Sequence, residues 1–318
     1  MTPNASSEET SDRTPIEQWY NAKRHAAQNP VQPSAENLRS RASSTGMKIA
    51  IQGEPGSFSH EAAMKLVADA VIVPCPLSAD VFAALTGGAV DAAVIPIENS
   101  LAGSVLEHFD LLLSHDVKVE RETLLRIRHN LIALAGVAID EIERVFSHPV
   151  ALAQCKRFLA GHPSMESYAF YDTAGSVKQL MELRDRPAAG IASEAAAHYY
   201  GAHILAANIE DNPENFTRFF LVRRASEARA DPQSNKISMA LSLEHRPGTL
   251  VAALGELAAI GVNLTKIESR PVPGKPWEYI FYVDCQIQSV EQGSRVIQAL
   301  SPHCAMVKEL GRYREALP

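Results

Sequence analysis

Asn215-Phe216-Thr217-Arg218-Phe219-Phe220-Leu221-Val222 joins a polar head, Asn-x-Thr-Arg, to an apolar run of strand character. The run predicts a strand over 218–222. Its head places a hydroxyl and a guanidinium at the mouth of that strand. Folding gains little from an arginine there, because a charge near a core costs free energy unless it is paired. The octet reads either as a turn before an edge strand with a solvated arginine, or as site residues held on a rigid element.

Working upstream, short apolar runs at 48–52, 71–73, 91–97, 131–134, 144–147, 167–170 and 190–192 predict further strands. Helical patterns lie between them at 81–85, 105–113, 151–159 and 176–183. Such alternation predicts an α/β fold with largely parallel sheets. Eight strands in one sheet with helices this short would be wide, so two sheet subdomains are expected. Downstream, residues 225–235 are charged and end in Asp231-Pro232-Gln233-Ser234-Asn235, the composition of a linker. Residues 236–314 then read strand, helix, strand, strand, helix, strand, the βαββαβ order of a ferredoxin-like module. The body therefore spans 47–224. Residues 1–46 are polar, and a disordered extension with a short helix near 15–27 is expected there.

Composition narrows the function classes. The chain has 318 residues, 46% hydrophobic and 21% charged, with a formal net charge of −7. That balance argues against nucleic acid as the main partner. No apolar run is long enough to span a bilayer, and the polar N-terminus lacks the apolar core of a secretory signal. Cys75, Cys155, Cys285 and Cys304 are far apart with no Cys-x-x-Cys, which fits reduced thiols in a cytoplasmic protein. No His, Cys, Asp and Glu cluster has metal spacing.

Chemistry concentrates at the strand-to-helix turns. Gly53-Glu54-Pro55-Gly56-Ser57-Phe58-Ser59, Pro96-Ile97-Glu98-Asn99-Ser100, Ser147-His148-Pro149 before Gln154-Cys155, and Asp172-Thr173-Ala174-Gly175 all present hydroxyls, amides or glycines. Each alone is explained as a helix cap. Together they line the carboxyl ends of strands, where α/β folds bind ligands and helix N-termini favour anions. A site of neutral donors suited to a carboxylate follows. The glycine turn is neither a Walker loop nor a dinucleotide fingerprint. His148 reads as an acid or base, or as a satisfied loop histidine. Glu98 reads as an acid or as a lysine's partner. In the module, His245-Arg246-Pro247-Gly248-Thr249-Leu250 and Glu268-Ser269-Arg270-Pro271 read as a tight turn and a polar strand end, or as an amino-acid pocket.

These motifs, in this order, resemble prephenate dehydratase with a C-terminal ACT regulatory domain, over residues 47–314. The resemblance rests on Gly53-x-x-Gly-Ser-Phe-Ser, Glu98-Asn99-Ser100, Ser147-His148-Pro149, Asp172-Thr173-Ala174, Asn215-x-Thr217-Arg218-Phe219, Gly248-Thr249-Leu250-Val251 and Glu268-Ser269-Arg270-Pro271. Thr249 stands where the family usually has Ala. The resemblance implies a two-lobed catalytic domain like periplasmic binding proteins, with its active site in the cleft between the lobes, plus the ACT module. It implies decarboxylative dehydration of prephenate to phenylpyruvate in phenylalanine biosynthesis, a homodimer or homotetramer, and L-phenylalanine as effector. The family's essential threonine falls on Thr217. Many bacterial relatives carry a chorismate mutase bundle in front; 46 polar residues lack the length and periodicity for one, so no mutase activity is expected.

Loss of carbon dioxide and hydroxide makes the prephenate ring aromatic, so no cofactor is needed. Thr217 is expected to donate to the leaving oxygen, helped by His148 or Glu98. Asn99, Ser100, Ser147, Gln154, Thr173, Arg218 and Phe219 are the expected substrate contacts, with Arg218 either a bidentate carboxylate partner or a brace pointing away. Gly248, Thr249, Leu250, Val251, Glu268, Ser269, Arg270 and Pro271 are the expected effector contacts. Arogenate dehydratase is the nearest alternative, and a non-catalytic amino-acid-sensing protein is the alternative of another class.

Overall fold

The computed structural model describes residues 46–229, 231–272 and 278–317. Most of the expected extension over 1–46 lies outside them. In chain order the elements are β1 (Lys48–Gln52), α1 (Phe58–Leu66), β2 (Val71–Cys75), α2 (Ser78–Thr86), β3 (Ala92–Asn99), β4 (Gly103–Ser104), α3 (Leu106–Ser114), β5 (Val117–Arg126) and β6 (Asn130–Ala133). There follow β7 (Arg144–Ser147), α4 (Pro149–Gln154), α5 (Lys156–Ala160), β8 (Glu166–Ala169), α6 (Thr173–Leu183), β9 (Ala188–Ala192), α7 (Glu194–Tyr200), β10 (His203–Ala206) and β11 (Phe216–Arg224). The last segment carries β12 (Lys236–Ser242), α8 (Thr249–Ala259), β13 (Asn263–Pro271), β14 (Tyr279–Gln286), α9 (Val290–Leu300) and β15 (Met306–Tyr313). Among the described residues, no helix is long and apolar enough to cross a membrane.

Contacts divide the chain into two compact units. The first combines residues 46–127 with the described residues from 214 onward, and the second is Arg128–Pro213. The first unit holds a sheet in the order β13-β14-β12-β15-β5-β11-β3-β1-β2, with β4 added to β3. It is mixed, not largely parallel as expected: β1 runs parallel to β2 and β3, but β11 runs antiparallel to β3 and β5. The returning chain after residue 213 enters the sheet from the opposite direction, which forces that pairing. Both faces of β11 are apolar and covered. Phe219 and Leu221 pack with Ile49, Ile51 and Val94, while Phe220 and Val222 pack with Phe82, Phe109 and Leu112. That is why the run after Arg218, Phe219–Val222, carries no polar alternation.

The C-terminal module extends the first unit's sheet, since Gly311 of β15 pairs with Val119 of β5. The linker is tied down as well: the Arg229 amide donates to Glu120 and the Ser234 amide to the Asp231 carbonyl.

The second unit holds a five-stranded sheet, β10-β6-β9-β7-β8. Strand β7 is parallel to β8 and β9, and β6 is antiparallel to β9 and β10. Its helices start on side-chain caps: Asp172 accepts from the Gly175 amide at 2.7 Å and Ser193 from the Ala196 amide at 3.0 Å. The expected helix over 151–159 is broken into α4 and α5 at Cys155, whose φ of −122° leaves the helical region.

Candidate functional site

Thr217 and Asn99 face each other across β11 and β3, one rung from the register Arg218↔Glu98. A register shift that leaves Ile97 of β3 as the extra residue, opposite the step from Arg218 to Phe219, lies beside them. The Asn99 amide nitrogen donates to Thr217 Oγ1 at 2.9 Å and to Asn215 Oδ1 at 2.8 Å. Its oxygen accepts from the Leu101 and Ala102 amides at 3.0 and 2.8 Å. Those two backbone donors fix which end of the amide is which, since only an oxygen can accept from them. The Thr217 hydroxyl is therefore an acceptor toward Asn99 and keeps its own proton to donate. Ser100 is engaged locally: its hydroxyl donates to the Glu214 carbonyl and accepts from the Phe216 amide, both at 2.9 Å. It pins the two strand ends together.

Behind that rung, the structure answers the open readings of Glu98 and Arg218. Glu98 is a lysine's partner, with Oε1 2.8 Å from Lys266 Nζ and Oε2 3.8 Å from Arg218 Nη1. Arg218 is a brace. Its guanidinium is buried, donating to Glu122 at 2.5 Å, Asp284 at 2.5 Å and the Tyr313 hydroxyl at 2.8 Å. Burial works to lower its pKa, but Tyr313, Asp284 and Glu122 outweigh burial and the net shift is upward. It is permanently charged and fully engaged, so it is not a free carboxylate clamp. Phe219 also departs from its expected role as a substrate contact. Only 1% exposed, it fills the core beside Leu221 because its strand face turns inward.

The second unit carries the remaining expected residues. Ser147 is fully buried and donates to the Ile191 carbonyl at 2.5 Å. That bond stitches β7 to β9, which removes Ser147 from the expected substrate contacts. His148 caps α4, its Nδ1 accepting from the Val150 amide at 3.3 Å. An accepting Nδ1 places the proton of the neutral ring on Nε2. Although the residue is exposed as a whole, desolvation where the ring packs lowers its pKa. At neutral pH it is thus a neutral donor and not a protonated acid. Gln154 Oε1 lies 2.9 Å from Nε2 of the buried His129. Thr173 opens α6, half-buried beside the Asp172 cap.

Five partners escaped the sequence reading: His129, Glu122, Lys266, Asp284 and Tyr313. Asp284 left a signal, a lone acid inside the apolar strand Tyr279–Gln286, which a folded chain tolerates only when the charge is paired. Among the described residues, no cluster of three or more His, Cys, Asp and Glu side chains is placed to hold a metal ion.

In the module, Gly248 caps α8 with φ of 85°, a conformation open to glycine. Leu250, Val251, Tyr279 and Phe281 line a cavity of about 260 Å³ at this turn. A neighbouring cavity of about 680 Å³ is lined by Arg246, Gly248, Thr249 and His303. Ser269 and Pro271 lie opposite Phe281 and Tyr279 across β13 and β14. Glu268 and Arg270 point to the other face of β13, where Glu268 accepts from Ser104 and Arg270 binds Asp110 of α3 through both carboxylate oxygens. The structure therefore divides the expected effector residues between two faces. The strand period requires this, because alternate residues point oppositely.

The family model described as prephenate dehydratase matches residues 49–227. Arogenate dehydratase/prephenate dehydratase 2 of Arabidopsis thaliana is 37% identical, with 88% of this chain and 77% of that protein covered. The prephenate dehydratase of Arthrobacter aurescens, solved in complex with L-Phe, superposes with a TM-score of 0.76 at 32% identity, covering 84% of this chain and 90% of the other. The structure of GqqA, described as a novel type of quorum quenching acylase, superposes with a TM-score of 0.77 at 30% identity, covering 85% and 98%. With more than half of its length matched by the family model and the motif residues in their expected order, the chain belongs to the prephenate dehydratase family.

Proposed function

We propose that the protein converts prephenate to phenylpyruvate, carbon dioxide and water, as the prephenate dehydratase of phenylalanine biosynthesis in the cytoplasm. The observation that carries the reading is the Asn99-to-Thr217 hydrogen bond at 2.9 Å. A threonine hydroxyl held as an acceptor on one side presents its proton on the other. In the reaction the bond from the ring carbon to the hydroxyl oxygen breaks, and the ring carboxylate leaves as carbon dioxide. The electron pair of the lost carbon–carbon bond completes the aromatic ring. The departing hydroxide takes up a proton from the solvent and becomes water. Thr217 donates a hydrogen bond to that oxygen as its charge develops, where such a donor is most effective. It need not ionise, and the electron sink is the substrate's own ring.

L-Phenylalanine is the proposed effector, taken at the Gly248–Val251 turn. There an apolar cavity adjoins the amides of a helix N-terminus, which suits an aromatic amino acid with a carboxylate. The proposed assembly is a homodimer or homotetramer.

The test is formation of phenylpyruvate from prephenate, read by its ultraviolet absorbance in alkali, with arogenate run alongside. Thr217→Ser should keep most of the turnover, and Thr217→Ala should lose on the order of a hundredfold or more in kcat. Wild-type protein that forms no phenylpyruvate would overturn the substrate assignment. A Thr217→Ala enzyme that turns over normally would remove Thr217 from the mechanism.

A further inference from the structure

The rung Glu98↔Arg218 sits next to the rung Asn99↔Thr217 on the same two strands. Successive strand residues point to opposite faces, so each charged side chain lies behind its neighbour. Among the described residues, the rear pair's further hydrogen-bond and ion-pair partners, apart from Glu122, come from the C-terminal module: Lys266 on Glu98, Asp284 and Tyr313 on Arg218.

Lys266 does more than pair with Glu98. Its Nζ also donates to Ser104 Oγ at 2.8 Å, and Ser104 in turn donates to Glu268 Oε2 at 2.8 Å. Glu98 and Ser104 are the opposed residues of the β3–β4 hairpin, and the next rung is Asn99↔Gly103. One ammonium group thus holds both arms of the hairpin, one residue from Asn99. The turn of that hairpin supplies the two amides that orient Asn99. The Lys266 side chain is 10% exposed and lies over the Phe109 ring, 5.7 Å from its centroid, so its position is defined by packing as well as charge.

We propose that Lys266 is a positioning residue for the dehydration. It holds the β3–β4 hairpin so that Asn99 donates to Thr217, and the C-terminal module is thereby a working part of the catalytic site as well as a place for an effector. Lys266 touches neither substrate nor Thr217. It acts through Asn99. The inference rests on the dehydratase reading above.

The experiment is steady-state kinetics of Lys266→Met and Lys266→Arg on prephenate in the full chain, in wild-type and Asn99→Asp backgrounds. Lys266→Met keeps the aliphatic stem over Phe109 and removes the charge. It should lower kcat by tenfold or more with KM within twofold, and Lys266→Arg should recover most of the loss. In the Asn99→Asp background, Lys266→Met should change kcat by less than twofold, because the contact it positions is already gone. Normal kcat in Lys266→Met, a loss confined to KM, or full multiplication of the two losses overturns the proposal. Should Lys266→Met not fold, Ser104→Ala removes one arm of the clasp and should lower kcat severalfold; unchanged kcat there is equally fatal. A wild-type enzyme inactive on prephenate sinks the dehydratase reading instead, and is told apart by that control.

Discussion

At Thr217 the deciding quantity is the direction of one hydrogen bond. Asn99 has one nitrogen and one oxygen of nearly equal size, and the Leu101 and Ala102 amides claim the oxygen. Asn99→Asp is the sharpest single-atom test of this. The aspartate keeps the acceptor that those amides need, but it replaces the donor facing Thr217 by a second acceptor. The hydroxyl proton then turns to the carboxylate and is lost to the leaving oxygen. We expect kcat to fall on the order of a hundredfold, about 3 kcal/mol in the barrier, with an unchanged circular dichroism spectrum. Retained turnover would show that the hydroxyl does not need to donate. Sequence pattern marked both residues, because an amide and a hydroxyl at the mouth of strands have no core role. It could not mark the direction of the bond, which depends on backbone amides two and three residues past Asn99.

Strand β11 shows how far a local pattern reaches. Its polar head and apolar body were legible, and so were most strands of both sheets and the βαββαβ order of the module. Strand β5 was not. Val-Lys-Val-Glu-Arg-Glu carries four charges in six residues, and Glu120 and Glu122 are nonetheless buried. They are tolerated because Arg223 and Lys236 come from distant segments to meet them, along with Arg218. No window of sequence contains those partners. Because β5 was missed, the mixed direction of the first sheet was missed with it, and so was the fate of Phe219. With β5 and β3 on either side, the residue after Arg218 has nowhere to face but the core. Phe219→Ala should therefore act on stability and not on substrate recognition. A loss of about 3–5 kcal/mol is expected for an aromatic side chain removed from a packed interior. The KM of any protein that remains folded should be unchanged. Urea unfolding together with kinetics checks both halves, and a raised KM at near-normal stability would return Phe219 to the site.

For the molecule as a whole, two effects extend beyond any one element. The first is acid sensitivity. His60, His108, His129 and His148 all titrate below the ordinary value of 6.5, chiefly through burial. Between that value and their folded-state values, the unfolded chain binds protons that the folded chain does not. Stability is then complete above about pH 6.5 and falls as the pH drops below it. The urea midpoint should fall between pH 7.5 and 5.5, before the carboxylates titrate; a flat profile would refute the effect. The second is the joint between the module and the first unit. Strand β15 meets β5 at Gly311, where a Cβ would overlap the carbonyl oxygen of Val119 and sit 2.8 Å from its Cβ. Backbone cannot swing aside as the end of a side chain can. Gly311→Val should cost about 1–3 kcal/mol, the usual range for overpacking. It should also lower kcat, since Lys266 and Asp284 reach Glu98 and Arg218 from the displaced module. Gly255, inside α8, has no atom within 4 Å of its would-be Cβ. Gly255→Ala is the matched control and should stabilise by roughly 1 kcal/mol through helix propensity, with kcat unchanged. If Gly311→Val unfolds at the parent's urea concentration and turns over at the parent's rate, the module is not seated on β5 in solution, and its grip on the catalytic strands fails with it.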